Sequence, residues 1–184
     1  MFSGELVEKI ARPLGASYDV ERNHKVGDVP YDVHAFLDVT NARYVLIKKA
    51  ELWRANCYEH IFIKNVGPDA PTPFSDWTPG FFEKLEQTIA KELEPNYVRQ
   101  GEKNPPKDHM YTYLTFIYVA DKTPPKEWIK TLRRFRYRKE YALSFRGYCE
   151  ARVLLFDAAE QTIYGNRAAG DLIKGYQKQE NLWR

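Results

Sequence analysis

Cysteine is nearly missing from this chain. Cys57 and Cys149 are its two copies among 184 residues. That is too few for a disulfide framework, so a reducing cytosol is the expected compartment; both fall in strand-like segments, and Cys57 is expected to be a buried, inert thiol. Long apolar runs are missing as well. No stretch approaches the roughly 20 apolar residues that span a bilayer, and the N-terminus has no basic segment followed by an apolar one, so neither membrane insertion nor export is expected. An excess of one charge is also lacking: 28 Lys and Arg face 25 Asp and Glu, a net charge of +3, so any electrostatic argument has to be local. There is no phosphate-cradling glycine loop, dinucleotide fingerprint, serine elbow or HExxH, which sets aside the usual cofactor and nucleophile enzymes.

What the chain does have is aromatic side chains, 15% of the total with thirteen tyrosines, a composition that suits strands and half-buried surfaces. Phe2, Leu6, Val7, Ile10 and Leu14 recur at helical spacing and predict an opening helix. A strand over 16–24 and a turn at Gly27-Asp28 lead into the central stretch Tyr31 to Val66. A second helix carries Phe81, Phe82, Leu85, Ile89 and Leu93 as far as Pro95, and a third begins after Pro124-Pro125 and fails near Arg134. Met110 to Ala120 is apolar or aromatic almost throughout, which predicts a strand covered on both faces near the middle of the sheet. The expected architecture is α+β: one domain over 1–184, a mainly antiparallel twisted sheet with helices packed on one side.

Within the central stretch, Tyr31, Val33, Ala35, Leu37 and Val39 alternate with Asp32, His34, Phe36, Asp38 and Thr40, the two-residue period of a half-buried strand. A turn at Asn41-Ala42 would pair Leu37 with Leu46 and Asp32 with Glu51, and a second at Ala55-Asn56 would pair Glu51 with His60. Asp32, Glu51 and His60 then form a row across three strands, flanked by His34, Lys49 and Tyr58. Such a row could hold a divalent metal on Asp32, Glu51 and His60, with Asp32, Glu51 and Lys49 as catalytic groups of a hydrolase. A strand bearing Asp followed by an antiparallel strand with an acid and a lysine two apart resembles the core of PD-(D/E)xK nucleases, a resemblance that covers Phe2 to Trp53 and implies metal-assisted phosphodiester cleavage. Here the order is Lys49-Ala50-Glu51, the reverse of the acid-x-Lys of that family.

The second candidate surface is the basic and aromatic stretch between Lys130 and Lys139. There Arg133, Arg134, Arg136 and Arg138 interleave with Phe135 and Tyr137, so an extended backbone separates charges from rings by face. Arg133, Arg134, Arg136, Tyr137 and Arg138 are the candidate binding residues. Guanidinium groups pair with phosphates and rings stack on bases, so the expected partner is single-stranded nucleic acid, another polyanion or a partner protein, bound without catalysis. The chain as a whole, and Phe135 to Asn166 above all with Gly147-Tyr148 and Ile163-Tyr164-Gly165-Asn166, resembles members of an uncharacterised bacterial protein family, a resemblance that implies no activity.

Overall fold

The computed structural model describes residues 3–44, 51–67, 70, 77–78, 80–179 and 181–183, with the backbone alone over 40–44 and 51–55. Among them no helix is long and apolar enough to cross a membrane. The chain runs α1 (Ser3–Ala11), β1 (Asp19–Val26), β2 (Val29–Tyr44), β3 (Glu51–Asn65), α2 (Phe81–Thr88), β4 (His109–Ala120), α3 (Lys126–Arg134), β5 (Arg138–Glu140), β6 (Tyr148–Asp157), β7 (Thr162–Gly165) and α4 (Gly170–Gln177). A 3-10 turn extends α1, and α2 continues as a wider π-wound segment, Ile89–Val98, that passes through Pro95. The expectation that this helix stops at Pro95 is thus off by one turn: proline removes one donor, and a wider winding leaves room for its ring.

The strands form one sheet in the order β1-β2-β3-β4-β6-β5, with β7 also on β6. β4 is interior and buried along most of its length, as its composition predicts. Two expectations need correction. The sheet is mixed, because β3–β4 and β4–β6 are parallel while the β1–β2, β2–β3, β5–β6 and β6–β7 pairings are antiparallel. Its helices lie on both faces. Parallel neighbours need a crossover, and the two crossovers put α2 with its π segment and α3 on one face, where Phe82, Leu85, Ile89, Leu93, Trp128 and Leu132 meet Phe62, Leu114, Phe116 and Leu155. On the other face Leu6, Val7 and Ile10 of α1, with Leu172, Ile173 and Tyr176 of α4, cover Ile61, Ile63, Ile117, Leu154 and Phe156.

The central stretch departs from its predicted register. β2 runs straight through Asn41-Ala42 to Tyr44 and pairs directly with β3: Val33 faces Ile63, Ala35 faces Ile61, and Tyr44 faces Glu51. Asn41-Ala42 lacks the glycine of an Asn-Gly or Asp-Gly turn, so nothing compels a tight turn there. The observed register sets Val33 and Ala35 against Ile61 and Ile63, all within 4% of complete burial, which satisfies the apolar face better than the shorter hairpin would.

Candidate functional site

That register dissolves the carboxylate row. Glu51 sits opposite Tyr44, twelve residues along β2 from Asp32, roughly 40 Å at the rise of a strand; its side chain, and all of Lys49, lie outside the described residues. Asp32 accepts the backbone N–H of Asn65 and opens on a recess beside Gly4, Val7 and Glu8 of α1. His60 points to the other face, where its ring meets Tyr97 of the π segment edge-on at 5.2 Å. Asp32 and His60 are therefore not brought together, so these two do not share the metal site expected on Asp32, Glu51 and His60.

The basic stretch does become a surface, and its local structure explains how. α3 ends at Arg134, and Phe135 turns the backbone extended, with φ −56° and ψ 133°. Asn166, 2% exposed, then fastens that extended segment. Its Nδ2 donates to the carbonyls of Phe135 and Ala151, its Oδ1 accepts from the Val153 N–H, and the Ala151 N–H donates to the Tyr137 carbonyl. A buried amide with its hydrogen bonds made fixes a backbone path as no apolar contact can. Phe135 is thereby tucked against Phe82 and Tyr137 packs half-buried on the same core, while Arg133, Arg134, Arg136 and Arg138 stay exposed.

Two recesses adjoin along this edge. One, of about 420 Å³, is rimmed by Lys126, Lys130, Arg133 and Arg134 around Ile129 and Tyr164; the Arg133 guanidinium lies 5.8 Å from the Tyr164 ring centre. The other, of about 380 Å³, is lined by Arg136, Arg138 and Arg167 with Tyr137 and Glu150. Glu150 is the only carboxylate in either lining. Arg138 is already engaged, stacked 3.8 Å over Tyr148 and paired with Glu140 and Glu150. Among the described residues no ion pair holds Arg134, Arg136 or Arg167.

A second polar cluster, which the sequence reading did not assemble, lies across β1, β2 and β3 beneath the π segment. Its members are Glu21, His24, His34, His60 and Tyr97. His24 and His34 stack with ring centres 4.4 Å apart, and His34 Nε2 lies 3.0 Å from His60 Nδ1. His24 Nδ1 is 2.8 Å from Glu21 Oε2 and its Nε2 is 2.7 Å from the Tyr97 hydroxyl. Burial, reinforced by the neighbouring imidazoles, pushes His34 down to about 4 and His60 down to about 3. Both rings are therefore neutral at physiological pH. The signal that could have found Glu21 was present: a two-residue turn at Gly27-Asp28 sets Val26 opposite Val29 and Glu21 opposite His34. His24 escaped that arithmetic, because Asn23 adopts φ +56° and drops out of the ladder, re-aiming the next side chain. Tyr97 lies past Pro95, beyond the point where the helix is expected to end.

Close by, Glu94 is 1% exposed. Its Oε1 accepts from Arg99 Nε at 2.8 Å and the Tyr141 hydroxyl at 2.9 Å, and Lys139 Nζ lies 3.0 Å away. Burial opposes its charge, but these three donors outweigh it and hold the carboxyl below the usual range. Cys149, fully buried, is pushed up by burial and by Glu94, which makes it an unreactive thiol.

These features define a class: a mixed α+β sheet layered by helices on both faces, with an arginine-lined edge and a buried imidazole cluster. The chain belongs to the family described as Domain of unknown function (DUF8052), whose model matches residues 3–178. Neither the curated proteins nor the solved structures contain a match to it.

Proposed function

We propose that the protein is a non-enzymatic binding protein for a phosphate-bearing polymer, with single-stranded nucleic acid the chemistry that fits best. One observation carries this reading: two adjoining recesses along α3, β5 and the β7–α4 turn present seven cations against one carboxylate, in a chain whose net charge is only +3. Guanidinium groups pair with phosphate oxygens in a fixed fork. Tyr164 and Tyr137, set among the cations, add ring faces on which unpaired bases can stack.

The test is fluorescence anisotropy of a labelled single-stranded oligonucleotide, with heparin in parallel, over a salt series. For single strands the logarithm of affinity falls with the logarithm of salt by about 0.7 per phosphate neutralised. Changing Arg134, Arg136 and Arg138 together to glutamine should lower that slope by about 2 while leaving the fold intact. Binding of heparin alone would shift the reading to another polyanion. Binding that ignores the three substitutions, or no binding at low salt, overturns it.

A further inference from the structure

We propose that Glu21, His24 and His34 form a site for a divalent first-row transition ion of the zinc class, with His60 and Tyr97 as positioning residues behind it. One ligand atom from each of the three lies within 4.8 Å of the others. Glu21 Oε2 is 2.8 Å from His24 Nδ1 and 4.0 Å from His34 Nδ1. A tetrahedral ion with bonds of about 2.0–2.1 Å holds its donors roughly 3.3 Å apart, so the separations present bracket the one required.

Three features distinguish this cluster from an ordinary His–Glu pair. In a regular strand residues three apart face opposite sides, but the left-handed Asn23 turns His24 onto the face of Glu21 and His34; irregularities of this kind re-aim side chains next to sites. The ring nitrogens that face away from Glu21 are each held by a group that is not a ligand, Tyr97 for His24 and His60 for His34. Such outer partners fix the ring and its tautomer in metal sites. The histidines are dry and the carboxylate is not: their side chains are 14% and 10% exposed, against 63% for Glu21. An ion can therefore enter from the Glu21 side, and a water or ligand atom can complete its shell there. Two imidazoles and one carboxylate suit borderline divalent ions better than calcium or magnesium, which prefer oxygen.

Binding has a structural consequence. The stacked rings have to open so that both Nδ1 atoms converge, and His24, whose Nδ1 in the metal-free protein donates to Glu21, exchanges its proton to Nε2, which then donates to the Tyr97 oxygen.

The experiment titrates the full chain with zinc against a chromophoric chelator and records long-range proton–nitrogen spectra of the histidines. Expected are one ion per chain, Nδ1 resonances of His24 and His34 that move, an Nε2 resonance of His34 that keeps and one of His24 that gains the signature of a protonated nitrogen, and at least tenfold weaker binding in Glu21→Gln and His24→Gln. Glu21 is mostly exposed, so its variant folds and keeps the test decisive if His24→Gln does not. Asp32→Asn should leave zinc affinity unchanged. Less than half an ion per folded chain, affinity indifferent to Glu21→Gln, or a loss in Asp32→Asn without one in Glu21→Gln overturns the proposal.

Discussion

The imidazole cluster under the π segment and the cation edge along α3 and β5 are both polar, yet they are built on opposite terms. At the first, His24 Nδ1 and Nε2, His34 Nε2 and His60 Nδ1 each have a partner at a set distance on rings that see little water, so removing a partner leaves a group stranded in a poorly solvating interior. At the second, exposed side chains act through summed charge, even where Arg138 also pairs with Glu140 and Glu150, so each can be removed with little effect on the fold. The interior system is all-or-nothing and the edge additive. Substitution and pH changes should separate the two.

The sharpest break concerns Glu94, which shares the buried underside of the π segment with Tyr97. Glu94→Gln removes the charge that Arg99, Lys139 and Tyr141 converge on. Breaking a buried pair from one side costs about 3–5 kcal/mol. Lys139 and Arg99, 46% and 23% exposed, can turn toward water, so the lower figure applies, about 3 kcal/mol. For a chain of this length that is a fall of about 10 °C in Tm. Arg134→Gln or Arg136→Gln should stay within about 0.5 kcal/mol of wild type. Scanning calorimetry of the three variants checks the contrast; equal shifts would abolish it.

Acid is the second lever. His34 carries an ordinary value of 6.5 when unfolded and about 4 when folded, so as pH falls below 6.5 the unfolded chain takes up the proton first. Stability is therefore complete above about 6.5 and lost progressively down to about 4, on the order of 3 kcal/mol from His34 alone. Urea midpoints at pH 7.5, 5.5 and 4.5 measure it. His34→Gln should remove the share of that slope that belongs to His34 and leave the share of His60, which burial lowers as well, whereas the arginine variants should keep all of it.

How much of this was legible in the sequence follows the same division. The arginine run could be read because its residues are contiguous and its alternation with Phe135 and Tyr137 already specifies two faces. α3 and β4 were readable for the same reason, each carrying its own period or stop signal. The histidine cluster was not: Glu21, His24, His34, His60 and Tyr97 come from four elements, and their meeting depends on the left-handed backbone of Asn23 and on a helix that winds past Pro95. The β2–β3 register failed for a related reason. Alternation from Val33 onward indicates which side chains share a face, though Tyr31 and Asp32 depart from it, and the partner strand depends on where the chain turns, a choice that Asn41-Ala42 left to Ile61 and Ile63.

A smaller effect probes the ring behind the proposed ion. Tyr97→Phe deletes the hydroxyl 2.7 Å from His24 Nε2 and keeps the ring that covers His34 and His60 edge-on. Loss of an outer partner costs about 10–100-fold in metal affinity, and the lower figure is expected because the ring still shields the cluster. Zinc competition should show one ion per chain still bound, about tenfold more weakly, with the His24 Nε2 signal the one most altered. A loss of stoichiometry instead would mean that Tyr97 holds the fold rather than the imidazole.

The smallest change tests whether the edge is additive. Arg167 lies outside the arginine run, twenty-nine residues beyond Arg138 in sequence, yet it lines the same recess. If the surface works by summed phosphate contacts, Arg167→Gln should reduce the salt slope of oligonucleotide binding by about 0.7, the increment expected of one arginine within the run. Its affinity should fall only a few-fold at moderate salt, and Tm should not move. A slope unchanged within error would confine binding to the linear segment 133–138 and leave the recess without a part in it. A loss as large as that of the triple variant would mean that a single pre-set contact, as in the imidazole cluster, governs the edge as well.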